Sequence, residues 1–130
     1  MTTFVLVHGA WHGGWCWGRV APQLRAAGHT VFTPSLTGLS DRAHLISPSV
    51  NLSTHVEDIV RMLDAEDLTD VILVGHSYAG MVISGVAEQR PERLRMRIHL
   101  DGFLPENGEA AIDILPDVPA SHYREAVKGP

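Results

Sequence analysis

The stretch Val71-Ile72-Leu73-Val74-Gly75-His76-Ser77-Tyr78-Ala79-Gly80-Met81-Val82 decides how this chain folds. Four apolar, mostly β-branched residues read as a buried strand, and Met81, Val82 and Val86 resume at helical spacing after the turn. A strand that turns sharply into a helix holds its central residue in a strained conformation, so the positions two residues away must be small. Gly75 and Ala79 meet that need, which makes this a G-x-S-x-A form of the turn. Ser77 then has two readings. It can cap the helix, as serines do. It can also be a nucleophile, lifted into the open at a helix N-terminus where free N–H groups and the dipole favour developing negative charge. The strand before it and the helical period after it favour the nucleophile.

Outward from this turn, strand and helix patterns alternate. Phe4–Val7 is a first apolar run, residues 17–27 a helix with Trp17, Val20 and Leu24 on one face, and residues 29–33 a second strand. Residues 34–50 carry Pro, Ser and Gly without a period and read as a loop. Thr54 and Glu57 have capping-box spacing, followed by Val56, Ile59, Val60 and Leu63 as one helical face. Strands at residues 71–74 and 96–100 flank a helix over residues 78–89. This alternation predicts an α/β fold, a parallel sheet of about four strands with helices on both faces. Ligands of such sheets bind beyond the carboxyl ends of the strands. After Phe103 the period fades and three prolines fall between residues 105 and 119. Residues 1–104 therefore read as core, and 105–130 as the start of a cap or an irregular tail.

A second strand end is also unusual: His8-Gly9-Ala10-Trp11-His12-Gly13-Gly14-Trp15-Cys16-Trp17. Its glycines do not make G-x-G-x-x-G, and no Gly-Lys-Ser/Thr occurs, so dinucleotide and phosphate loops are excluded. A His-Gly turn can instead aim a backbone N–H at the serine turn, and acyl transfer needs two such donors on one oxyanion.

These segments, with Ala27-Gly28-His29 and Leu100-Asp101-Gly102-Phe103-Leu104-Pro105, resemble the α/β-hydrolase superfamily. More narrowly they resemble the plant methyl-salicylate-esterase and hydroxynitrile-lyase family with its bacterial esterase relatives. The likeness spans residues 4 to about 115. It implies that Ser77 is the nucleophile and that the N–H groups of Ala10 and Tyr78 form the oxyanion hole. Gly9, Trp11 and His12 would border a small-molecule ester, while Trp15 and Trp17 belong to the core. It also implies a histidine base and an aspartate acid beyond the cap, in a half that this chain does not contain. His8 and His12 sit on the oxyanion side, His76 reads as packed, His99 lies in a strand and His122 in the tail, so none is a convincing base. Asp101 is a candidate acid, although a loop-capping role fits it as well. The chain by itself is expected to be nearly inactive. The family's lyases carry threonine after the loop histidine, where this chain has Gly9, which favours the esterase; a non-catalytic truncated chain or small-molecule-binding module is the other alternative.

Composition narrows the class further. With 130 residues, 45% hydrophobic and 19% charged, the chain is one ordinary globular domain at most. A net charge of −5 argues against nucleic acid, and the densest basic group, Arg90, Arg93, Arg95 and Arg97, reads as flanking a helix end and a strand. No apolar stretch is long enough to span a membrane. No secretory leader precedes the first strand, and the single Cys16, flanked by tryptophans, reads as inert, so a cytoplasmic protein is expected. No metal or organic cofactor is implied. The fourth strand would leave an open apolar edge, predicting a homodimer, aggregation or a missing C-terminal segment that covers it.

Overall fold

The computed structural model describes residues 1–102; the expectations for Phe103 to Pro130, His122 among them, lie outside the described residues. Four parallel strands form one sheet in the order β2-β1-β3-β4: β1 (Thr3–Val7), β2 (Thr30–Phe32), β3 (Val71–His76) and β4 (Leu94–Leu100). Three α-helices cover it: α1 (Ala21–Ala26), α2 (Leu52–Ala65) and α3 (Ala79–Gln89).

Alternation along the strands divides the core in two. Val5 and Val7 of β1 and Val71 and Leu73 of β3 pack with Val56, Ile59, Val60 and Leu63 of α2 and with Val82, Ile83 and Val86 of α3. The intervening Leu6 and Val74 face the other way, onto Trp17 and Ala21. Helices thus cover both faces because side chains of a strand point alternately to its two sides. The apolar face expected for α2 is buried throughout.

Several local expectations are corrected. The α2 cap is Asn51, not Thr54: Asn51 Oδ1 accepts from Thr54 N, and Asn51 N donates back to Thr54 Oγ1. An Asn whose short side chain reaches the N3 amide caps as well as Ser or Thr. Helix α1 starts later than its apolar spacing suggests, after a 3₁₀ turn at Gly14–Trp17, so Val20 is exposed. Trp15 is also exposed rather than in the core, at 65%, because that turn rotates it outward while Trp17 goes in. The presumed loop of residues 34–50 contains a further 3₁₀ segment, Ser40–Leu45.

The winding reverses between β1 and β3. From β1 the chain moves outward to β2, then returns to place β3 on the other side of β1. Val7 pairs with Gly75, so the loop after β1 and the turn after β3 leave the sheet side by side. That switch point is where open α/β sheets bind ligands.

Candidate active site

Ser77 occupies the bend between β3 and α3 with φ +56°, a left-handed conformation that a non-glycine residue adopts at a cost. The bend is tight because Gly75 lies against the first turn of α3. A Cβ on Gly75 would come within 2.7 Å of the Ala79 carbonyl oxygen. Gly80 N–H donates to Ser77 O at 2.9 Å, which starts the helix, and Ser77 N–H reaches Leu100 O of β4 at 3.4 Å.

The loop after β1 approaches the same point. A Cβ on Gly9 would lie 3.1 Å from Ser77 Cβ and 3.1 Å from His76 O, so the backbone of Gly9 rests directly on the serine turn. Neither the Ala10 nor the Tyr78 backbone N–H has a hydrogen-bond acceptor among the described residues. Two amide donors without partners therefore flank a serine held in a strained bend.

The orientation of the first donor is set by His8, which is fully buried. Leu36 N–H donates to His8 Nε2 at 2.9 Å, so that nitrogen carries a lone pair and Nδ1 carries the proton. Nδ1–H then donates to Gly9 O at 2.8 Å. His12 N–H, at 3.3 Å, donates to the same oxygen. In a trans peptide the N–H points opposite to the C=O, so fixing Gly9 O turns the Ala10 N–H away from His8. Burial holds the His8 imidazole below its ordinary pKa, which keeps this tautomer neutral.

The second donor belongs to Tyr78, whose phenol is anchored by a residue that sequence reasoning missed. His55 of α2 is 8% exposed. Its Nε2 lies 2.9 Å from Thr37 O, and its Nδ1 lies 2.9 Å from Tyr78 Oη. A carbonyl only accepts, so Nε2 bears the proton and the Tyr78 hydroxyl donates to Nδ1. Burial, with Asp58 adding to it, pushes the Tyr78 phenol up to about 12, so it stays a donor at any ordinary pH. The one sequence signal for His55 was its place on the apolar face of α2, beside Val56.

The other expected residues fall around this centre. Trp11, with φ +61°, is 65% exposed, and His12 is half-buried with its ring edge-on to Trp15 at 5.6 Å. The His76 ring sits between those of His12 (6.0 Å) and Trp17 (6.5 Å), packed rather than turned to Ser77. Burial raises the Cys16 thiol pKa, in keeping with an unreactive cysteine. Asp101 is exposed just past β4, with φ +48° and without a hydrogen bond or ion pair among the described residues. No described histidine hydrogen-bonds to the Ser77 hydroxyl. A cleft of about 480 Å³ opens nearby, walled by Trp15, Trp17, Arg25, Ser35 and Asp41 but not by Ser77. No group of three or more metal-ligating side chains, and no helix long and apolar enough to cross a membrane, occurs among the described residues.

Comparison with known proteins adds the following. The alpha/beta hydrolase family model matches residues 4–128. The carbendazim hydrolyzing esterase of Nocardioides sp. is 53% identical over 116 residues, which are 89% of this chain and 48% of that protein. Methylesterase 1 of Arabidopsis thaliana is 31% identical over 128 residues, 97% of this chain and 49% of that protein. An extracellular alpha/beta-hydrolase from a Paenibacillus species, described as structurally and functionally homologous to tobacco salicylic acid binding protein 2, superposes with a TM-score of 0.89 at 32% identity. That match covers 99% of this chain and 53% of the solved one. The chain spans about half the length of the curated relatives it matches.

Proposed function

The chain belongs to the alpha/beta hydrolase family, and from that premise we propose that it is the nucleophile-bearing part of a serine esterase acting on small carboxylic esters. One observation carries the reading: Ser77, at φ +56°, lies against Gly9, and the N–H groups of the next residues, Ala10 after Gly9 and Tyr78 after Ser77, have no acceptor among the described residues. Ser77 Oγ attacks the ester carbonyl carbon, and the carbonyl π electrons move to oxygen. Ala10 and Tyr78 N–H groups hold that oxyanion, a stabilisation worth about 3–4 kcal/mol per donor in comparable sites. The alcohol leaves with a proton, and water then releases the acid from the acyl-enzyme.

The serine's proton must pass to a base within about 3 Å of its hydroxyl. His8 and His55 have both ring nitrogens engaged, and His76 is wedged between aromatic rings. No described histidine hydrogen-bonds to the Ser77 hydroxyl, and the family resemblance puts the base outside the described residues. Asp101 is kept as the candidate acid of the described part. Trp11 and His12 border the substrate, and carbendazim, which a relative at 53% identity is named for hydrolysing, is the first compound to try. The chemistry calls for no cofactor.

A cyanohydrin-cleaving lyase of the same fold is disfavoured by Gly9. It offers no hydroxyl, and any side chain there would press on Ser77 Cβ and His76 O. The cytoplasm is our assignment from the lone cysteine; the Paenibacillus relative is described as extracellular, so the fold does not decide the compartment.

The test is labelling with a fluorophosphonate, read by mass spectrometry, beside p-nitrophenyl acetate turnover. The expected result is slow labelling of Ser77, accelerated by added imidazole acting as an external base and lost in Ser77→Ala, with turnover close to background. A Ser77 left unlabelled in folded protein even with imidazole overturns the nucleophile, and robust Ser77-dependent turnover without imidazole overturns the missing base.

A further inference from the structure

Two buried histidines, far apart in sequence and on different elements, converge on adjacent residues of one loop. His8 accepts from Leu36 N–H and His55 donates to Thr37 O, both at 2.9 Å. That loop is itself held hard. Leu36 is fully buried, and Asp58 accepts from both Thr37 N–H at 2.7 Å and Thr37 Oγ1–H at 2.6 Å. Arg42 lies 3.7 Å from the same carboxylate.

The far ends of the two imidazoles are equally specific. His8 ends on Gly9 O, the carbonyl of the peptide whose N–H belongs to Ala10. His55 ends on the hydroxyl of Tyr78, the residue whose own N–H is the other free donor. A neutral imidazole is a rigid plate with one donor and one acceptor on opposite sides, so it transmits position with little slack. Catalytic donors work by being held in place before charge develops, since an amide that must reorganise gives back part of its stabilisation.

We propose that Leu36–Thr37 is a common anchor for both oxyanion donors, acting through His8 on the Gly9–Ala10 peptide and through His55 on Tyr78. His8 and His55 are thereby positioning residues for ester cleavage. This rests on the oxyanion-hole reading above. It goes beyond that reading in making the two donors one mechanical unit, with the loop after β2 setting their separation. A histidine that only stabilised the core would touch one donor's surroundings and leave the other's unchanged.

The experiment records ¹H–¹⁵N spectra of the chain and its affinity for phenylboronic acid, in which Ser77 Oγ adds to trigonal boron and its proton goes to the buffer. Tyr78→Phe removes only the hydroxyl, His55→Leu removes both ring contacts, and His55→Gln restores one donor and one acceptor. The expected result is that Tyr78→Phe and His55→Leu shift the Ala10 amide resonance, across the anchor, and weaken phenylboronate roughly tenfold, about the worth of one buried hydrogen bond. His55→Gln recovers most of both. An unmoved Ala10 resonance in folded Tyr78→Phe overturns the anchor, and because that variant loses a single atom it stays informative if His55→Leu does not fold. Phenylboronate binding that is equal in wild type and Ser77→Ala would instead sink the hydrolase reading alone, while the Ala10 resonance still decides the anchor.

Discussion

Replacing Gly75 by alanine adds one methyl group where β3 lies closest to the first turn of α3. The new Cβ would lie 2.7 Å from Ala79 O, 2.9 Å from Ala79 C and 3.0 Å from Ile83 Cδ1. The first two atoms are backbone in the first turn of α3, so no rotamer change relieves them. Either β3 or the start of α3 must move. Overpacking of this kind costs about 1–3 kcal/mol, and rigid backbone on the receiving side argues for the upper end, ~3 kcal/mol. The loss of glycine's unfolded-state freedom returns about 0.5–1 kcal/mol, leaving a net destabilisation of roughly 2 kcal/mol. Gly85→Ala is the control. Its Cβ would meet Val56 Cγ2 at 2.7 Å, but that atom is a side-chain methyl, and alanine is the better helix former by about 1 kcal/mol. Urea unfolding followed by tryptophan fluorescence, with Trp17 as the buried reporter, should show a clearly lower midpoint for Gly75→Ala at an unchanged slope. Fluorophosphonate labelling of Ser77 should slow in the same variant. A Gly75→Ala midpoint equal to wild type, or no lower than that of Gly85→Ala, would refute the steric account of the turn.

Acid should weaken the fold through His8. Burial, reinforced by His55 and His12 against the Gly9 carbonyl and Asp41, depresses its folded pKa below the unfolded value of 6.5. The contribution is therefore complete above about pH 6.5 and is lost as pH falls from there toward the folded pKa. Urea midpoints at pH 7.5 and 5.5 should differ less in His8→Asn than in wild type, and an equal difference would count against this role. Leu63→Ala, at a fully buried position of α2, should cost about 2–5 kcal/mol by the same assay. Asn51→Ala removes the side-chain arm of the α2 capping box, the bond from Thr54 N–H to Asn51 Oδ1, and should cost about 1 kcal/mol, whereas Thr54→Val removes only the acceptor for Asn51 N–H and should spare that bond. Met96, Ile98 and Leu100 are 48, 38 and 50% exposed along β4, at the sheet edge among the described residues. Light scattering should report dimers or larger species that Ile98→Lys disperses, and a monodisperse wild-type monomer would contradict this.

How much of this was legible beforehand depends on the range of each interaction. The four strands and the apolar face of α2 follow from spacing within a dozen residues, so they could be read directly. The Ser77 bend was legible for the same reason: Gly75 and Ala79 stand two residues either side of it, and their sizes are stated by the letters. Errors arose where one local signal competed with another. Thr54 has the pattern of a cap, but Asn51 three residues earlier takes the role and uses Thr54 as its partner. Trp15 and Trp17 look alike in a list of aromatics, yet a 3₁₀ turn sends one outward and the other into the core.

Local periodicity by itself determined that this chain forms strands and helices in alternation and that one serine stands at a sharp strand-to-helix bend. Only the tertiary structure decided that the Gly9 backbone rests on that serine and that His8 and His55 meet on the adjacent residues Leu36 and Thr37. These contacts run through the β1–β3 register and through hydrogen bonds spanning 28, 23 and 18 residues. The physical reason is that a side chain's neighbours along the chain govern its backbone angles, whereas its hydrogen-bond partner is whatever polar group the packed sheet and helices bring within about 3 Å.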